Sequence, residues 1–238
     1  MPTSANYKKR KEEKIKHEIL EAARKVFELK ELMDITVGDI SEMAVVSRTT
    51  IYKYFPHGRD EIYFVLGALG FATANEILKK TILNSNKTGL EQFLGLCEFT
   101  FDRATPFIFA ILTEFYNRVN IKNLKIEEMH DEIARKARTD EYEDIRNQFD
   151  EPYIVDFYVE IQQTAFLWEN AIEKGQKDGS ILKNLDKSQI IHFINLSISG
   201  IIEQTLLRKG STLKRIGLEQ DVVKKQTLDI IRLFLQSP

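Results

Sequence analysis

Between Thr36 and Phe55 the chain reads as two short helices held three residues apart. Thr36 is a good N-cap, and Asp39, three residues on, supplies the acid of a capping box. Val37, Ile40 and Ala44 then share one face, and the helix ends near Ala44. After the turn Val45-Val46-Ser47, Ser47 caps a second helix. Its Ile51 and Phe55 lie four apart and point inward, leaving Arg48, Thr49, Thr50, Tyr52 and Lys53 mostly on the other faces. Two short helices on so tight a turn make a helix-turn-helix. Pro56-His57-Gly58 breaks the chain before a further helix begins near Arg59.

The charge pattern says what that unit meets. The chain carries 36 acids against 34 Lys and Arg, a net charge of -2, yet no acid lies between Glu42 and Asp60. A carboxylate on a face entering a DNA groove costs binding, whereas Arg and Lys release counterions and add affinity. A plain solvated basic helix is the alternative. Against it stand the turn spacing, the small hydroxyl residues beside the basic ones, and two tyrosines on a polar face.

Composition extends the helical reading to the whole chain. Only 11 Gly and 5 Pro interrupt 238 residues dominated by periodic runs of Leu, Ile, Lys and Glu, so the expected class is all-α. The single cysteine, Cys97, excludes an internal disulfide and any multi-cysteine metal site, and it reads as a small buried residue. His130 has Glu127, Glu128 and Asp131 nearby but lies on what looks like a solvated helix face, so no metal is expected. No Gly-x-Ser-x-Gly, phosphate loop or His/carboxylate constellation is present, which points away from an enzyme and from a cofactor. The N-terminus is charged where a signal peptide would be apolar, and no run is read as a membrane span, so a cytoplasmic protein is expected.

The segment from Ile15 to Ile62 resembles the N-terminal DNA-binding domain of TetR-family transcriptional regulators. The residues that carry the likeness are Ile19-Leu20-Glu21-Ala22-Ala23, Phe27, Thr36-Val37-Gly38-Asp39-Ile40, Ala44-Val45-Val46-Ser47, Tyr52 and Phe55. It departs from the family pattern where Val45 and Glu31 stand in place of glycine, and a β-branched residue at 45 is costly if the turn needs positive φ. The loop after Phe55 is one residue longer than usual, leaving Arg59 in the place of the family's basic residue.

The likeness implies two domains: residues 1–60, a three-helix DNA-binding unit with a basic N-terminal arm (Lys8, Lys9, Arg10, Lys11), and residues 61–238, a larger helical effector-binding and dimerisation domain. Residues 61–83 read as one connecting helix. The stretch from 120 to 148 is charged and reads as an exposed excursion, and Gly175 and Gly179 read as ending a helix. The aromatic density after Gly89, interrupted by Pro106, suits a core, and the resemblance adds a small-molecule cavity. Its expected lining is Phe99, Arg103, Phe109, Tyr116 and Trp168, suited to a hydrophobic or aromatic effector. Two C-terminal helices are apolar on more than one side, Ile190, Ile194, Ile198 and Ile201 against Phe193, Leu196 and Gly200 in the first. Ile190, Ile194, Ile198 and Ile201, with Val223, Ile230 and Phe234, are taken as the homodimer interface, a four-helix bundle, the alternative being a deeper core within one chain.

The expected function is a one-component regulator, a repressor that holds a palindromic double-stranded operator as a homodimer and is released by its effector. Arg48, Thr49, Thr50 and Tyr54 would approach base edges, while Thr36, Ser47, Tyr52, Lys53 and Arg59 would hold phosphates. The basic arm would reach a minor groove or add attraction only, the second being preferred. The rival is a helical adaptor that binds a protein or a membrane surface without reading DNA sequence.

Overall fold

The computed structural model describes residues 4–30, 34–83, 86–121, 130–137, 141–206, 215 and 219–236. Among them every regular element is helical. In chain order these are α1 (Ser4–Leu29), α2 (Val37–Ala44), α3 (Arg48–Tyr54) and α4 (Arg59–Leu78), the last continuing as a π-helical turn, Lys79–Leu83. There follow α5 (Gly89–Arg103), α6 (Pro106–Ile121), α7 (His130–Ala137), α8 (Glu143–Arg146), α9 (Pro152–Asp178), α10 (Lys187–Leu206) and α11 (Gln220–Gln236). The chain divides into two compact units, one of Met1–Gly70 with Ala110–Val159, the other of Phe71–Phe109 with Glu160–Pro238.

The first unit contains the helix-turn-helix. Ile19, Ala23 and Val26 of α1, Ile35, Ile40 of α2, Ile51 of α3, Phe55 and Ile62 of α4 form one core, each at most 4% exposed. Burying an Ile or Phe side chain stabilises by about 1.5–3 kcal/mol, so this cluster holds the short helices α2 and α3 against α1 and the start of α4. Further along α4, Phe64 packs edge to face on Phe157 of α9 at 5.4 Å, and Phe157 on Phe115 of α6 at 5.5 Å. Gly67 permits this approach, because a Cβ there would come within 2.2 Å of Ile111 Cδ1. The charged stretch after α6 is more than an exposed excursion: Ile133 of α7 and Ile145 of α8 are fully buried, anchoring two short amphipathic helices. Glu127 and Glu128 lie outside the described residues.

The second unit packs α5, α9, α10 and α11 around Phe93, Leu96, Cys97, Trp168, Ile172, Ile194, Ile198 and Leu235. Phe93 and Trp168 meet edge to face at 5.1 Å. Thr88 and Glu91 make a reciprocal capping box at the start of α5. Gly175 does not end a helix. It lies inside α9, and a Cβ built at Gly89 would fall 1.9 Å from its backbone nitrogen, so glycine lets the two helices touch. Gly179, at φ +81°, is the residue that closes α9.

Among the described residues, the span Arg59–Leu83 is, by length and composition alone, apolar enough to cross a membrane. Ile62, Phe64, Gly67 and Leu78 within it are core residues of the folded chain.

Candidate nucleic-acid interface

The geometry of the helix-turn-helix comes from its caps. Thr36 Oγ1 accepts the Asp39 amide at 3.2 Å, and Asp39 Oδ2 accepts the Thr36 amide at 2.8 Å. Lys30 also reaches Asp39, and hydrogen bonds from Lys30 and Thr36 hold the Asp39 carboxyl far below the usual carboxylate range. Ser47 Oγ accepts the Thr50 amide at 3.0 Å, which starts α3.

Between them the turn is built as a Schellman closure. Val46 N–H donates to the Ser41 carbonyl at 3.1 Å, and Val45 N–H to the Glu42 carbonyl at 3.2 Å. That pattern forces Val45 to φ 54°, ψ 43°, the left-handed region. Val45 therefore occupies a glycine conformation with a β-branched side chain, 90% exposed and packed on little. Glu31, the other departure from the family pattern, lies outside the described residues.

With Ile51 and Phe55 facing the core, Arg48, Thr49, Tyr52 and Lys53 are all exposed. Their spacing, i, i+1, i+4 and i+5, makes one continuous stripe on α3. Arg48 lies over the first turn of α2: a Cβ at Gly38 would meet its Nη2 at 2.5 Å. The Tyr52 ring lies by Gly58, whose φ of +64° and lack of Cβ admit it. Ser47 and Thr36 are exposed beside the stripe, each occupied as a cap, and Thr50 is half-buried with its hydroxyl on Ser47 at 2.8 Å.

Two expected residues sit elsewhere. Tyr54 is turned from the stripe and packs half-buried on the helix-turn-helix core, with the Lys53 ammonium 5.1 Å from its ring centre. Arg59 is directed inward, pairing with Asp60 at 2.9 Å and donating to the Ile35 carbonyl at 3.3 Å. A carboxylate next in sequence and a free carbonyl before α2 outcompete solvent for its guanidinium. The basic N-terminal segment is not an extended arm: Lys8, Lys9, Arg10 and Lys11 are exposed residues in the opening turns of α1.

In the second unit, Phe99 and Phe109 are half-buried against the core and Trp168 is 3% exposed within it. The Arg103 guanidinium lies 5.6 Å from the Phe99 ring centre. Tyr116 belongs to the first unit, exposed on α6 beside Phe115. A shallow polar depression lined by Asn170, Glu173, Lys174, Lys177 and Asp178 involves none of these residues.

The expected dimer residues divide by facing. Ile190, Ile194 and Ile198 are 3%, 1% and 0% exposed, consumed by the chain's own core, with Ile201 and Val223 partly buried. Ile230 and Phe234 are exposed, and they are joined by Phe193, Leu196 and Leu233, the opposite face of α10 and its neighbour on α11. Phe193 and Phe234 touch across the two helices at 5.8 Å.

Residues 19–65, from α1 through the helix-turn-helix into α4, match the family model for bacterial regulatory proteins of the tetR family. Among solved structures, the fatty acid degradation regulator FadR of Bacillus halodurans is similar at 14% identity and TM-score 0.60, over 91% of this chain and 93% of that one. The ketosteroid transcriptional regulator KstR2 of Mycobacterium tuberculosis is similar at 19% identity and TM-score 0.55, over 94% and 95%. FadR of Bacillus subtilis in complex with stearoyl-CoA gives 16% and 0.54, over 90% and 96%. No curated protein matches in sequence. Residues 19–65 thus carry a domain of the bacterial tetR regulatory type, and the chain as a whole shares its all-α fold with these three regulators.

Proposed function

We propose that the protein is a homodimeric, cytoplasmic repressor that binds paired operator half-sites and is released by a hydrophobic effector, a long-chain acyl-CoA thioester being the first to test. The observation that carries it is the acid-free stripe of Arg48, Thr49, Tyr52 and Lys53 on a capped helix backed by Ile51 and Phe55. Arg48 and Thr49, nearest the start of α3, are placed to meet base edges, while Tyr52, Lys53 and the Ser47 and Thr36 hydroxyls serve phosphates. Tyr54 and Arg59 support the unit from behind.

Dimerisation is assigned to the exposed apolar face of Phe193, Leu196, Ile230, Leu233 and Phe234. Large apolar patches on a soluble surface mark partner sites, and a second copy supplies a self-complementary one. The effector class rests on the stearoyl-CoA bound by a protein of like fold. In this chain Phe99 and Phe109 offer an apolar wall and Arg103 a cation for a phosphate.

Selection of bound sequences from a random duplex pool at near-physiological salt tests the proposal. Enrichment of an inverted repeat at fixed spacing, released by stearoyl-CoA, is expected. Sequence-blind binding alone would remove the regulatory reading and leave the adaptor.

A further inference from the structure

Arg118 of α6 is a heavily engaged charge within the first unit. Its side chain is only 9% exposed, and its guanidinium serves three carboxylates at once. Nε donates to Glu114 Oε1 at 2.8 Å, Nη1 donates to Glu151 Oε1 at 3.1 Å, and Nη2 donates to Asp60. The same guanidinium lies 5.4 Å from the Phe64 ring centre. Asp60 in turn holds Arg59, whose Nη1 donates to the Ile35 carbonyl, one residue before the cap of α2. A continuous chain of charged hydrogen bonds thus runs from α6 through the first turn of α4 to the entry of the helix-turn-helix.

Its exit is held too. The His57 amide donates to Glu61 Oε2 at 3.0 Å, and the His57 ring packs on Tyr153 at 5.2 Å. The Tyr153 hydroxyl donates to Glu151, the carboxylate that accepts from Arg118. Burial alone would lift the Asp60 carboxyl, but hydrogen bonds from Arg118 and Arg59 hold it below its ordinary value, so the network stays ionised.

Buried ion pairs add little net stability, because desolvation offsets their attraction. What a guanidinium fork adds is direction: apolar contacts let surfaces slide, whereas three donors aimed at three fixed acceptors set one angle.

We infer that Arg118 is a positioning residue for DNA binding, which fixes the angle at which the helix-turn-helix is carried and thereby the spacing of the half-sites the dimer accepts. This rests on the dimeric DNA-binding reading above. Arg118 touches no part of the stripe on α3, so the bases read within a half-site are independent of it. One base pair more or less between half-sites moves a head by about 3.4 Å and about a tenth of a turn, which a rigidly carried head does not follow.

The experiment is duplex selection with wild type, Arg118→Met and Asp60→Asn, followed by affinity measurements on operators with one base pair added or removed between half-sites. Wild type should lose about tenfold or more on the altered spacings, a penalty on the scale of a mismatched base pair. Arg118→Met should recover the same half-site sequence with that penalty cut to about threefold or less, and Asp60→Asn should fall between. If Arg118→Met does not fold, Arg118→Lys, which keeps the charge but loses the fork, replaces it with the same expectation. Unchanged spacing discrimination in the folded variants overturns the inference, as does loss of the half-site sequence itself. Failure of wild type to enrich paired half-sites would instead overturn the dimeric reading.

Discussion

The guanidinium of Arg48 lies directly over Gly38: a Cβ at residue 38 would sit 2.5 Å from Arg48 Nη2 and 3.2 Å from its Cζ. Glycine at the second position of α2 therefore lets the leading residue of the exposed stripe lie down on the neighbouring helix.

Gly38→Ala should separate stability from recognition. Alanine is the better helix former by about 0.5–1 kcal/mol, and the severe clash is with the far end of a flexible side chain, which can move, leaving only a tight 3.2 Å approach to the Thr36 cap oxygen. Thermal melting should show no loss, while operator affinity falls by up to about tenfold as Arg48 is displaced, within the worth of one bidentate base contact. Unchanged affinity would mean that the Arg48 pose is not the one used on DNA.

Val45→Gly should stabilise. A side chain in the left-handed region costs about 1–2 kcal/mol, and Val45, 90% exposed, returns little packing for it. After the greater freedom of glycine in the unfolded chain is deducted, a gain of about 1 kcal/mol remains, or about 2–4 °C in melting temperature. A drop in melting temperature would show that the isopropyl group makes a contact worth more than the strain.

Leu196→Glu and Leu233→Glu should yield folded monomers by light scattering and weaken operator binding. Each places a charge on a face that is apolar and exposed in the subunit. Ile194→Glu, on the opposite side of α10 at 1% exposure, should fail to fold instead, since a lone buried carboxylate costs several kcal/mol. Dimers from both surface variants would remove the assigned interface.

Gly89→Ala should destabilise by about 3 kcal/mol or more. The new methyl would meet the backbone of Gly175 at 1.9–2.3 Å, and backbone cannot yield as a side chain does. The Gly89 amide also donates to Asp178 at 2.8 Å, a bond lost if the helix ends part. Urea denaturation measures the difference.

Acid should weaken the first unit through Asp60. Its folded carboxyl titrates below the ordinary value of 3.8, so the unfolded chain takes up the proton first. The stability it contributes is complete above that value and is lost as pH falls through the lower folded one. Denaturation free energies compared at about pH 5 and about pH 3 should fall less steeply in Asp60→Asn than in wild type. Equal slopes would place the acid sensitivity elsewhere.

The sequence by itself determined the helix-turn-helix, because everything that defines it is local. Thr36 with Asp39, Ser47 with Thr50, and Ile51 with Phe55 are three or four residues apart, so caps and facing follow from helix geometry. Even the strain at Val45 is legible once the turn is seen to need a left-handed residue. Tertiary structure decided the rest. Periodicity shows that α10 has two apolar faces, but only packing turned Ile190, Ile194 and Ile198 inward and left Phe193 and Leu196 outside. Arg59 is basic in either reading, and only the folded chain brings it the Ile35 carbonyl, 24 residues away. Arg118 carries no local mark at all beyond Glu114, since Glu151 and Asp60 lie 33 and 58 residues from it. Hydrogen-bond acceptors so distant in the chain converge on one guanidinium only when three helices have already packed.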